Sequence, residues 1–147
     1  MAERLSLREL VGLLDDGHRF YTQAAEKVER AELKDLFLRL ARTKAAIAGA
    51  LNERLRARGE TTSGDGTLLG HLQQTFAGIC AQLSSTPAVT YVEQLERFED
   101  RMRDAFREAA GESEDADTRA LAAKYMPDVL RDHSEMSALK RQLDEAH

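Results

Sequence analysis

Four stretches of this chain repeat apolar side chains at three- and four-residue spacing, each for roughly six turns of helix or more, and few folds can use that pattern. The first stripe is Leu7, Leu10, Val11, Leu14, Tyr21, Ala25 and Val28. It opens on Ser6-Leu7-Arg8-Glu9, where the Ser hydroxyl and the Glu carboxylate can satisfy each other's orphan amides as a capping box. The spacing predicts a helix over 6–29. A second stripe, Leu33, Leu36, Phe37, Leu40, Ile47, Leu51 and Leu55, predicts a helix over 32–58 that Gly59 caps. Carrying the first stripe forward in phase would put apolar residues near Glu32 and Asp35, so the phase slips at Glu29-Arg30-Ala31. A short turn is expected there; one unbroken helix of about fifty residues is the alternative.

A polar stretch, Glu60 to Gly66, precedes a shorter stripe of Leu68, Leu69, Leu72, Phe76, Ile79, Cys80 and Leu83, which predicts a connecting helix over 67–83. Thr86 and Pro87 then supply an N-cap and a first helical residue for a helix over 87–110, carrying Tyr91, Val92, Leu95, Phe98, Met102, Phe106 and Ala109 and ending at Gly111. The last helix, over 114–145, starts among acids that suit the positive end of the helix dipole and carries Leu121, Ala122, Tyr125, Val129, Met136, Leu139 and Leu143. Pro127 lies inside it and predicts a kink or a split near Tyr125-Met126. The four long helices would each span roughly 36 to 45 Å, and the connecting helix could return the chain along the bundle. The second and third long helices would then run parallel, in the one-crossover order of a ferritin-like four-helix bundle with an extra short helix in its crossover.

Composition agrees with a single all-α domain over 1–147. There are nine Gly and two Pro in 147 residues, with abundant Ala, Leu, Glu and Arg. One cysteine, Cys80, excludes an internal disulfide framework. Charges interrupt every apolar run short of a membrane span, and Met1-Ala2-Glu3-Arg4 lacks the apolar core of a signal peptide, so a cytoplasmic, non-membrane protein is expected.

The residues also carry a resemblance. Asp16-Gly17-His18-Arg19-Phe20-Tyr21 with Ala24-Ala25-Glu26-Lys27-Val28, and Glu32-Leu33-Lys34-Asp35-Leu36-Phe37-Leu38-Arg39-Leu40-Ala41, resemble the first two helices of small bacterial ferritin-like proteins. The stretch Gly64 to Gly70 and Glu96-Arg97-Phe98-Glu99-Asp100 are similar to later segments of a four-helix-bundle family classed as a domain of unknown function. The resemblance implies the fold and, through that superfamily, raises the question of a metal centre.

Ferritin-like carboxylate sites take a Glu from each of two helices and a Glu-x-x-His pair from each of the others. No Glu-x-x-His occurs here. The central core positions of the second helix read Thr43-Lys44-Ala45-Ala46-Ile47, and Leu14 stands where the first helix would need Glu. A reduced site remains conceivable, in which His18, Glu96, Glu99, Asp132 and His133 hold one divalent ion. The plainer expectation is that His18 and His133 bond to neighbouring helices while Glu96 and Glu99 face solvent or Lys44. A buried Lys44 would need a carboxylate partner, with Glu99 the candidate, and such a pair would fix register without chemistry.

No phosphate loop, nucleophile elbow, zinc-protease helix or CxxC pair is present, and nothing assembles a nucleophile, a base and an orienting group. Cys80 reads as a core thiol. A non-catalytic role, interaction-based, structural or stress-associated, without cofactor, is therefore the first expectation; a metal-binding or redox protein with the reduced site is the second. Charge offers a third. Residues 30–58 hold eight basic side chains against three acids, and 99–117 hold eight acids against three bases. Ordinary solvated faces, attraction between subunits of a homo-oligomer, an unknown protein partner, or weak nucleic-acid binding through the second helix would each use that asymmetry.

Overall fold

The computed structural model describes residues 6–60 and 88–145. Among them are four helices, α1 (Leu7–Lys27), α2 (Ala31–Ala57), α3 (Ala88–Glu112) and α4 (Ala116–Glu145), and no strand. The expected connecting helix over 67–83, with Cys80, and the Thr86-Pro87 start lie outside the described residues.

Local chemistry explains the helix ends. Ser6 caps α1 as a complete capping box with Glu9: the Glu9 amide donates to Ser6 Oγ at 3.2 Å and the Ser6 amide to Glu9 Oε1 at 3.4 Å. The phase slip is a real break, since Val28 and Arg30 are extended and buried Val28 plugs the turn into the core. Gly59 adopts φ 75°. Its amide donates to the Arg56 carbonyl at 2.9 Å and that of Glu60 to the Leu55 carbonyl at 2.8 Å, closing α2 with a Schellman motif. Gly111, by contrast, does not end its helix. It keeps a negative φ within α3, which continues to Glu112, and Asp115 caps α4 by accepting from the Asp117 amide at 3.3 Å.

Of the two expected outcomes at Pro127, a kink or a split, the split does not occur: α4 runs unbroken through Tyr125-Met126 to Glu145. The proline removes one bond to the Ala123 carbonyl, but Ala123 and Pro127 are both exposed, so water can serve that carbonyl. Buried Ala122, Val129 and Met136 anchor the helix on either side.

Paired side chains fix the directions. Tyr21 packs on Phe37, Lys34 Nζ donates to the Ala25 carbonyl and Arg8 meets Glu60, so α1 and α2 are antiparallel. Arg39 meets Glu135, Lys44 meets Asp132, Arg54 meets Asp117 and Arg58 meets Asp115, so α2 and α4 are antiparallel too. The short turn after Glu112 folds α4 back along α3, while Phe20 and Tyr21 hold α1 against Phe98 and Glu99 of α3. It follows that α2 and α3 are parallel and lie on a diagonal. The core between them is built of Leu10, Leu14, Leu40, Leu51, Val92, Leu95, Met102 and Phe106, all fully buried.

One glycine inside α1 is a packing device. A Cβ on Gly17 would stand 2.8 Å from Phe98 Cε2 and 3.4 Å from Lys44 Cδ. The Phe98 ring is itself held edge-on to Phe20, with centroids 5.4 Å apart. Gly17→Ala should therefore lower stability by about 1–2 kcal/mol, overpacking outweighing the usual helical preference for Ala. Urea unfolding checks this; a gain in stability would mean that Phe98 yields freely.

Candidate functional site

Each helix sends one polar side chain into the same layer of the core. Tyr21 comes from α1, Lys44 from α2, Glu99 from α3 and Asp132 from α4, and none is more than 1% exposed. Each stands where its helix's apolar stripe is in phase. Lys44 lies between Leu40 and Ile47, Glu99 between Leu95 and Met102, and Asp132 between Val129 and Met136. The fold therefore has no means of turning these groups to water.

The ammonium of Lys44 is the hub. Its Nζ lies 2.7 Å from Asp132 Oδ2, 2.9 Å from Glu99 Oε2 and 3.2 Å from Glu99 Oε1. It also sits 5.6 Å from the centroid of the Tyr21 ring, whose face attracts cations. The Tyr21 hydroxyl donates to Glu99 Oε2 at 2.5 Å. The flexible stem of Lys44 reaches this point past Gly17.

The electrostatics follow from burial. With all three ionised, two carboxylates face one ammonium, leaving one negative charge uncompensated in the core. Burial pushes the Asp132 carboxyl up from 3.8 to about 6, against the pull of Lys44. For Lys44, burial favours the neutral amine, but Glu99 and Asp132 together outweigh it and hold the ammonium above its ordinary value. Burial and the neighbouring Glu99 push the Tyr21 phenol well above its ordinary value, so it remains a donor. A protonated lysine enclosed in this way has no free electron pair with which to act as a nucleophile or a base. What the cluster can do is tie four helices together at one level.

The residues considered for a metal centre do not come together in one place. Glu99 and Asp132 converge, on Lys44. His133 is on a different face of α4, its Nε2 2.6 Å from Asp100 Oδ1 and 3.1 Å from Arg103 Nη1. His18 is exposed, its backbone carbonyl accepting from the Thr22 hydroxyl and its ring interacting electrostatically with Asp15 of the same helix, and Glu96 is partly exposed. Among the described residues no group of three or more His, Cys, Asp or Glu side chains is arranged to hold an ion. The donor set does not fit a divalent cation, because the two inward carboxylates already hold an ammonium that would repel one.

The expected Lys44–Glu99 partnership is present. Sequence reasoning missed Asp132 as the second carboxylate and the Tyr21 hydroxyl as a donor. The available signal was a charged residue at an in-phase stripe position.

The charge asymmetry resolves largely within the chain. Arg30 bonds Glu32, Lys34 the Ala25 carbonyl, Arg39 Glu135, Arg54 Asp117 and Arg58 Asp115, and Lys44 is buried. Of the basic residues in 30–58, Arg42 and Arg56 are left without such a bond to a described residue. No helix among the described residues is long and apolar enough to cross a membrane.

Fold and core together define a class: an all-α four-helix bundle closed around a buried Lys–Glu–Asp–Tyr cluster. Residues 3–112 match the family described as Domain of unknown function (DUF2383), and the chain belongs to that family. The match includes Tyr21, Lys44 and Glu99 and stops before α4, so Asp132 lies outside it. No curated protein matches the sequence.

Proposed function

We propose that this protein is a non-catalytic, ferritin-like bundle of the cytoplasm that acts by association, and that its own lysine ammonium occupies the layer where such bundles hold metal. One observation carries the reading: the four inward polar positions are Tyr21, Lys44, Glu99 and Asp132, a set whose hydrogen bonds close on one another. A di-metal centre of this superfamily draws carboxylates from all four helices; here α1 contributes a phenol and α2 a cation. The parallel, diagonal arrangement of α2 and α3 supports the ferritin-like order. A structural or stress-associated role is what the resemblance to that superfamily adds.

Elemental analysis tests this, on protein purified without chelator or metal-affinity tag and again after anaerobic loading with ferrous iron. Trace metal in both preparations is the expected result. Near-stoichiometric metal that disappears in Glu99→Gln or Asp132→Asn would sink the proposal and turn attention to redox chemistry.

A further inference from the structure

The outward face of α2 is complementary to itself when reversed. Leu38, Arg42, Ala46, Gly49, Glu53 and Ala57 follow one another at spacings of four, four, three, four and four, so they share one side of the helix, and all six are exposed. The spacing reads the same in both directions, and the chemistry inverts about its centre. Turned end for end, Arg42 meets Glu53, Ala46 meets Gly49 and Leu38 meets Ala57.

Two features of this face have no use among the described residues. Arg42 and Glu53 make no hydrogen bond or ion pair with a described residue, and at eleven residues, roughly 16 Å along the helix, they cannot reach each other. Gly49 weakens the middle of a helix relative to alanine, yet nothing lies within 4 Å of where its Cβ would stand. No described residue needs a glycine there. A second backbone approaching closely does.

We propose that the protein pairs with a second copy of itself through α2, the two helices crossing antiparallel about a two-fold axis at the level between Ile47 and Ala48. In that register Arg42 of each copy faces Glu53 of the other, two ion pairs for one symmetry operation. Gly49 and Ala46 let the helices approach, at the short end of the usual 8–10 Å separation. Leu38, 38% exposed in the single chain, packs against Ala57 of the second copy. There it borders the groove of ≈ 360 Å³ that Ala50, Ala57, Ala120 and Leu121 line between α2 and α4. One helix pair is a small interface, so the dimer is reversible. This deepens the association role by naming its partner, and its success or failure is independent of metal content.

Sedimentation equilibrium from about 10 μM to 1 mM (the range for a weak interface) tests the pairing, in reducing buffer so that Cys80 adds no crosslink. The expected species is a reversible dimer of twice 16.4 kDa. Gly49→Gln should abolish it, and Ala46→Gln likewise. Arg42→Glu or Glu53→Arg alone should weaken it about tenfold or more, while the two together restore it, because the reversed charges again face opposite partners. All these positions are exposed, and unchanged helical circular dichroism verifies that each variant folds. A protein monomeric at the highest concentration overturns the proposal. So does a dimer indifferent to Gly49→Gln and Ala46→Gln, or a combined charge swap no tighter than the single reversals.

Discussion

Lys44→Met is expected to lower the unfolding free energy by about 3–5 kcal/mol in urea titrations at pH 7, a large part of what holds a domain of this size together. The side chains are similar in volume, so packing is nearly preserved while Glu99 and Asp132 lose the cation that both contact. The deficit should shrink in mild acid, where Asp132 takes up a proton. Replacing the whole cluster is a different experiment. Tyr21→Phe, Lys44→Met, Glu99→Leu and Asp132→Leu combined leave no orphan charge and should return stability to the wild-type level or raise it by up to about 4 kcal/mol. If the combined variant stays as weak as Lys44→Met alone, the cluster contributes net stability rather than fixing the relative placement of the helices.

Acidity supplies the second large effect. Because burial raises Asp132 from 3.8 to about 6, the folded chain holds that proton more tightly than the unfolded one. The resulting stabilisation is complete below about pH 4 and is lost as pH rises through 6, a span of about 3 kcal/mol. Half-buried carboxylates held down by neighbouring hydrogen-bond donors, Glu135 by Arg39 and Asp115 by Thr118 and Arg58, work in the opposite sense and lose their contribution as pH falls. The difference between wild type and Asp132→Asn isolates the buried group. That variant keeps Lys44 paired with Glu99, and its stability relative to wild type should increase between pH 4 and 7. A difference that stays flat over this interval would mean that Asp132 titrates as an ordinary carboxyl.

Much of the architecture was legible in the residues because periodic burial and end chemistry are local. The capping box at Ser6, the phase slip before Ala31 and the stop at Gly59 each depend on a few neighbouring side chains, and all three are present in the structure. The split considered at Pro127 is absent because whether a proline breaks a helix depends on what surrounds the freed carbonyl, here solvent beside Ala123. Gly111 misled because an acidic cap four residues further on, Asp115, closed the connection without it. The cluster was half legible. Lys44 demanded a carboxylate, and Glu99 was the candidate, but choosing Asp132 over His133 required the rotation of α4, which two adjacent candidates could not fix. His18 shows the opposite error: it borders the first stripe, yet α1 turns it outward.

The cluster also constrains how such a sequence can change over time. Lys44 holds one partner 55 residues further along the chain and another 88 residues away. Loss of Lys44 strands both carboxylates, and once one carboxylate has become neutral, any further single loss of charge leaves an unmatched ion in the interior. Exchange for an apolar core, though neutral or favourable once complete, therefore lies across a barrier that no one-residue path avoids. A lineage that acquires the buried lysine is held to it by the instability of the intermediates, whether or not the finished cluster confers any advantage.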